Sequence, residues 1–278
     1  MTETPGEVTQ EVAQEVARHY GRGGLLERLL GALSEAGKDI AHLTIDDLSP
    51  VDEFHSRRRA ATVELSRLLA PAASDHVIDI GSGIGGPARY LAATYGCRVS
   101  GVDLTEEFVA TAMDLTRRVG LADRVDFRQG SALDLPFEDG HFDLAWTQNV
   151  AMNIADRPGF YAEIHRVLKP GARLAIQDVV QGPGGALHYP VNWADASETV
   201  SCARRRRRAR CWKPRASRCR SGRTTATWRL PRRRRNGSVP RRAGTGRGRR
   251  SACTWWWVRA SARKCGTRGA TCWKTARG

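Results

Sequence analysis

Residues 77–86 read Val-Ile-Asp-Ile-Gly-Ser-Gly-Ile-Gly-Gly, a short apolar strand that runs into a turn of four glycines. The helix predicted behind it spans Pro87 to Thr94. Glycine has no Cβ, so the chain bends sharply at Gly81 and Gly83 and leaves bare backbone for a ligand, while the helix start offers N–H groups without intrahelical partners. Two glycine patterns overlap here. Gly81, Gly83 and Gly86 satisfy the dinucleotide pattern G-x-G-x-x-G, whereas Asp79, Gly81, Gly83 and Gly85 satisfy D-x-G-x-G-x-G. Asp79 helps to separate them. A carboxylate at the end of a buried strand is costly unless paired, and it suits a ligand carrying an ammonium group better than a pyrophosphate.

The next strand, Arg98 to Asp103, ends in an acid 22 residues beyond Gly81, where a carboxylate can accept both hydroxyls of a ribose. Further on come FDLAWTQN at 142–149 and RVLKPGARLAI at 166–176. With these four motifs in this order, the chain from about Leu43 to Val200 resembles the class I methyltransferases that use S-adenosylmethionine (SAM). More narrowly it is similar to their small-molecule branch, the ubiquinone/menaquinone-biosynthesis and sarcosine/dimethylglycine methyltransferases. The resemblance implies SAM as cofactor, with Asp79 at its methionine end, the turn Gly81, Ser82, Gly83 and Gly85 against it, and Asp103 and Leu104 at the ribose. It also implies that Ser131 and Ala132 flank the adenine, although a plain polar turn at 130–137 is an equal reading of those residues. On the substrate side, His55, Gln148 and Asn149 are the catalytic candidates, and Gln148 also faces the cofactor. A lone His near a helix start is more often structural.

Charge divides the chain. Of 45 Lys and Arg, 27 lie past residue 200, while all 29 Asp and Glu lie before it. The segment 201–278 also holds six of the seven cysteines and six of the eight tryptophans, and no Ile, Phe, Tyr, Met, His or Gln. No apolar run of membrane length or signal peptide appears, and Cys97 is the single cysteine of the acidic body, so a reduced, cytoplasmic setting is expected.

Taken in order, Val8, Val12 and Val16 predict an amphipathic helix closed by Gly21, and Leu25, Leu26, Leu29, Leu30 and Leu33 predict another closed by Gly37. Together, residues 1–50 form a helical cap over the domain at 51–200. After Pro50 a helix carries Ala61, Leu65 and Leu69 on its apolar side, with His55 and Arg57–Arg59 at its start. The resemblance implies a small residue where Arg58 or Arg59 stands. Thr105 is expected to cap a helix from Glu106 to Val119. Strands follow at Arg124–Arg128 and Phe142–Thr147, and a helix at Phe160–Val167 stops at Lys169-Pro170-Gly171 before a strand at Leu174–Val180; Asn153 is either a substrate-side group or the cap of that helix. Five strands alternating with helices predict an α/β, Rossmann-like, doubly wound and mostly parallel sheet.

The resemblance to class I methyltransferases implies two further strands, and the pattern fails near Val200. The genetic code suggests why. Taking each codon's last base with the next codon's first two, Cys211-Trp212-Lys213 and Cys272-Trp273-Lys274 must each decode to Leu-Glu, and Trp255-Trp256-Trp257-Val258 to Val-Val-Gly. Residues 201–278 therefore read as the product of a shifted frame, with the C-terminal strands missing and the segment disordered, and with no functional residue in it. The alternative is a basic arm that binds nucleic acid non-specifically.

The expected function is methyl transfer from SAM to a small molecule by in-line displacement, with the chain as written expected to be weak or inactive. Two rivals remain open: a NAD-dependent oxidoreductase, which explains the glycines and Asp103 but not Asp79, and an RNA-binding or RNA-modifying protein, which explains the tail. No cluster with metal-ligand spacing is present, and no membrane partner is expected. The acceptor, the atom methylated and the oligomeric state are not written in the sequence.

Overall fold

The computed structural model describes residues 23–55 and 57–181, together with two strand segments at 253–264 and 271–276. The predicted helix around Val8–Val16 and the segment 182–200 lie outside the described residues. Helix α1 (Leu25–Glu35) and the short α2 (Ile45–Leu48) lead into α3 (Arg58–Leu69). Then β1 (His76–Ile80), α4 (Gly86–Tyr95), β2 (Arg98–Asp103), α5 (Glu106–Arg118), β3 (Val125–Gln129) and β4 (Phe142–Gln148) alternate, followed by α6 (Arg157–Val167) and β5 (Leu168–Gln181). With β6 (Cys253–Lys264) and β7 (Thr271–Ala276), the sheet order is β3-β2-β1-β4-β5-β6-β7, with β1 to β5 mutually parallel.

Strands covered on both faces are mostly apolar, and β1 and β4 read so apart from His76, Asp79, Asp143, Thr147 and Gln148. On one face Leu65 and Leu69 of α3, Ala88 and Leu91 of α4 and Val109 and Ala112 of α5 pack on Val77, Val99, Leu144 and Trp146. On the other, Phe160, Ile164 and Val167 of α6 cover Ile78, Ile80, Ala145 and Leu174. Each such large side chain taken fully from water contributes about 1.5–3 kcal/mol. Helix α1 sets its leucine face on Phe108 and Leu115 of α5.

Four expectations are corrected. The sheet does not stop at β5: β6 (Cys253–Lys264) pairs antiparallel with β5, and β7 (Thr271–Ala276) antiparallel with β6. Thr254 to Val258, five residues that are all aromatic or β-branched, is strand-forming text, and the acid-free composition masked it. Secondly, Lys169-Pro170-Gly171 does not separate helix from strand. It lies inside β5, where the pairing with β4 shifts between Phe142 and Leu144 and Gly171 takes φ 85°, so the extra residues are absorbed as a bulge. Thirdly, Thr105 occupies the N-cap position of α5 without a side-chain capping bond, while the Glu107 carboxylate in the first turn of α5 accepts the N–H groups of Gly23 and Leu25 at the start of α1. Finally, Asp156, not Asn153, caps α6, accepting from Gly159 N at 2.9 Å.

Candidate active site

The glycine turn is held from beneath. Gly81 N and Ser82 N both donate to Val102 O, at 2.8 and 3.0 Å, so the turn is laced to the end of β2. Gly81, Gly83 and Gly85 all take left-handed φ values, 71°, 55° and 84°. Their surroundings differ. A Cβ on Gly81 would overlap Val150, one on Gly85 would overlap Phe127, and one on Gly86 would overlap the Asp52 carbonyl. At Gly83 a Cβ would meet nothing within 4 Å, so this glycine faces open space. The first three are packing requirements; Gly83 leaves backbone bare for a ligand.

Two carboxylates flank that space. Asp103 accepts from Gly83 N at 2.8 Å and from Thr105 N at 3.0 Å, which fixes the acid's orientation. Asp79 is 2% exposed, and its Oδ2 has no hydrogen-bond partner. Burial first, and the neighbouring charge of Asp103 second, push the Asp79 carboxyl up to about 8. Burial also raises Asp103, against the donors that favour its charge. A buried acid without a partner is an unfinished interaction.

The adenine-side candidates form a turn: Asp134 N donates to Ser131 O at 3.1 Å, Leu133 N to Ser131 Oγ at 3.1 Å, and Ala132 packs on the core under α6. Leu104 O accepts from Gln129 Nε2 at 3.3 Å. Both polar atoms of the Gln148 amide are engaged within the protein. Its Oε1 lies 3.0 Å from Trp146 Nε1, and its Nε2 donates to Gln177 Oε1 at 2.6 Å. Asn149, just past β4, holds φ 58° while its N–H donates to Gln177 O at 2.8 Å. A non-glycine residue in that region is strained, and such strain gathers at ligand sites.

His55 does not stand alone. Its Nε2 is 3.3 Å from Glu53 Oε2 and from Thr62 Oγ1, and Thr62 Oγ1 donates to Glu53 Oε2 at 2.7 Å. Arg59 pairs with Glu53 at 2.5 Å, and Arg89 with Asp52 at 3.0 Å, both acids being buried. The structure thus brings His55 and Gln148 into one polar cluster and Asp79, Gly83 and Asp103 into another. Sequence reading missed Asp52, Glu53, Thr62, Arg89 and Gln177. Gln177 left a signal, being the polar residue that follows directly on the buried apolar run Leu174–Ile176 in β5.

Residues 78–176 match the family described as "Methyltransferase domain". Over that stretch the chain has the sequence of a methyltransferase domain. Similar proteins include a methyltransferase of Streptomyces halstedii, 37% identical over 48% of this chain and 48% of the relative. A sarcosine/dimethylglycine N-methyltransferase of Halorhodospira halochloris is 32% identical over 61% of this chain and 60% of its own. A 27-O-demethylrifamycin SV methyltransferase of Amycolatopsis mediterranei is 31% identical over 64% and 63%. The chain therefore spans less than two thirds of these curated relatives, and about half of the first. In fold, the methyltransferase domain is similar to a geranyl diphosphate methyltransferase structure, with TM-score 0.55 at 23% identity over 72% of this chain and 79% of that one. Among the described residues no helix is long and apolar enough to cross a membrane, and no group of three or more His, Cys, Asp or Glu is placed to hold a metal ion.

Proposed function

We propose that the chain transfers a methyl group from SAM to a small-molecule acceptor. The observation that carries this reading is the partnerless Asp79 carboxylate beside the open backbone of Gly83. The residues present fit the cofactor: Asp79 meets an ammonium group, the turn Gly81, Ser82, Gly83 and Gly85 lies along the methionine chain, and Asp103 with Leu104 meets the ribose. Ser131 and Ala132 line the adenine side. When bound, SAM supplies a sulfonium methyl that an acceptor nucleophile displaces in line, leaving S-adenosylhomocysteine.

The protein's own part is alignment and exclusion of water. Asn149, strained at the carboxyl end of β4, and His55, backed by Glu53, border the acceptor; Gln148 positions their neighbours through its buried amide. The relatives' names describe transfer to nitrogen and to oxygen, and the acceptor here is read as a small molecule of the same general kind. A NAD-dependent oxidoreductase leaves the orphan acid without a role, and no observation favours it.

Residues 201–278 are read as the product of a shifted frame, supported by their 27 Lys and Arg without one acid. The test expresses the chain as written and a version with the frame restored from residue 201, and measures transfer from labelled SAM to small amines, phenols and quinols. Turnover by the restored version with little by the written one is expected. Equal turnover by both would overturn the frame reading, and no SAM binding by either would overturn the cofactor assignment.

A further inference from the structure

A buried chain of amides runs from β4 to β5, and its polarity is fixed by one residue. The Trp146 indole N–H can only donate, so the Gln148 atom 3.0 Å from it is the carbonyl oxygen. Gln148 Nε2 must then donate to Gln177 Oε1, at 2.6 Å. That leaves Gln177 presenting its NH2 group, and this nitrogen is buried without any acceptor, in a residue that is 0% exposed. The Thr62 hydroxyl does not alter this. It lies 2.7 Å from Glu53 Oε2 and 3.3 Å from Gln148 Oε1, and its one proton goes to the nearer carboxylate.

A buried amide donor with no partner is rare in a folded protein. Its place is informative. Gln177 pairs in register with Gln148, two positions beyond the Asp79–Trp146 pair in the direction of the carboxyl edge, where doubly wound sheets receive their ligands. Beside it, Asn149 is strapped to Gln177 O, is only partly buried, and leaves its own Oδ1 without a partner. The unmatched donor thus lies at the ligand edge, next to strained backbone and apart from the cofactor turn.

We propose that Gln177 is a specificity-determining residue for the methyl acceptor, its NH2 group receiving a hydrogen-bond-accepting oxygen that the acceptor carries: a carboxylate, carbonyl or phenolic oxygen. The inference rests on the methyltransferase reading above and names the chemistry its substrate must have. A molecule of similar size without such an oxygen leaves the donor unmatched and is discriminated against.

The test follows the Gln177 side-chain amide directly. Protein labelled with 15N is saturated with S-adenosylhomocysteine, and the Gln177 amide signals are assigned by their loss in Gln177→Glu. Acetate and catechol are titrated as probes, with ethylamine and toluene as counterparts without an accepting carboxylate or phenolic oxygen. Saturable shifts of the Gln177 signals with acetate or catechol, and none with the counterparts, are expected. Gln177→Glu keeps the acceptor for Gln148 and is expected to weaken acetate binding at least tenfold, with S-adenosylhomocysteine affinity unchanged. Signals unmoved by both oxygen probes would mean a bound water only and would overturn the inference, as would acetate binding to the variant as to wild type. S-adenosylhomocysteine affinity is read in a separate titration, so failure of the cofactor assignment is distinguished from a silent Gln177; the wild-type titration stands even if the variant does not fold.

Discussion

The Asp103 carboxylate accepts the backbone N–H of Gly83 at 2.8 Å, so the end of β2 clamps the tip of the glycine turn. One acid therefore serves two purposes: it shapes the turn and still has lone pairs for a ribose. Charge-assisted hydrogen bonds contribute about 1.5–3 kcal/mol each. Asp103→Ala is expected to weaken SAM binding by at least 100-fold, more than removal of any single neutral contact. Calorimetry showing unchanged affinity would contradict both roles.

Asp79 makes stability depend on pH. Its folded-state pKa is raised from the ordinary 3.8 to about 8, so between those values the folded protein holds a proton that the unfolded chain has lost. Stability of the ligand-free protein from this group therefore falls as pH rises from about 4 to 8, and is level above that. Burial raises Asp52 and Asp103 as well, in the same sense. Urea denaturation at pH 5, 6.5 and 8 is expected to show the decline, and Asp79→Asn to flatten it. A variant with the same slope as wild type would show that Asp79 is ionised throughout.

Gly83 separates binding from folding. Its φ of 55° makes any side chain strained, by about 1–2 kcal/mol, yet a Cβ there meets nothing. Gly83→Val is expected to keep a cooperative unfolding transition while losing SAM binding. Gly81→Ala, whose Cβ would overlap Val150, is expected to lower the melting temperature further than that. Retained SAM binding in Gly83→Val would place the ligand elsewhere.

Strain of another origin sits at the start of α3. Arg57 and Arg58 both take positive φ, 67° and 43°, where glycine is at ease. Arg57 pairs with Glu64 at 2.8 Å, but both side chains are about half exposed, and such pairs contribute little. Replacing both arginines by glycine is expected to stabilise the protein by about 1–2 kcal/mol in urea denaturation, less what glycine loses in the unfolded chain. Destabilisation would mean that the Arg58 bond to Pro50 O, at 2.7 Å, outweighs the backbone term.

Much of this architecture is written locally. The bounds of β2 coincide with the predicted Arg98–Asp103, because an apolar run there ends in an acid that begins a turn. The leucine spacing that predicted α1 matches its packing on α5. What misled was punctuation and composition: Pro170-Gly171 reads as a stop but lies in a bulged strand, and the basic tail hid the strand-forming Trp255–Val258. The polar cluster was less legible still. Glu53 comes from the loop before α3, and Thr62, Gln148 and Gln177 from α3, β4 and β5, and only packing of α3 on the sheet joins them. The expected small residue near Arg58 was the one local hint of the strained start to α3.

The central claim is that the turn between Asp79 and Asp103 takes SAM and not a dinucleotide. Equilibrium binding of radiolabelled SAM, with NADH as competitor, tests it most directly. Saturable SAM binding that excess unlabelled SAM displaces and NADH does not is the result expected. Displacement by NADH, or NADH binding without SAM binding, would contradict the account.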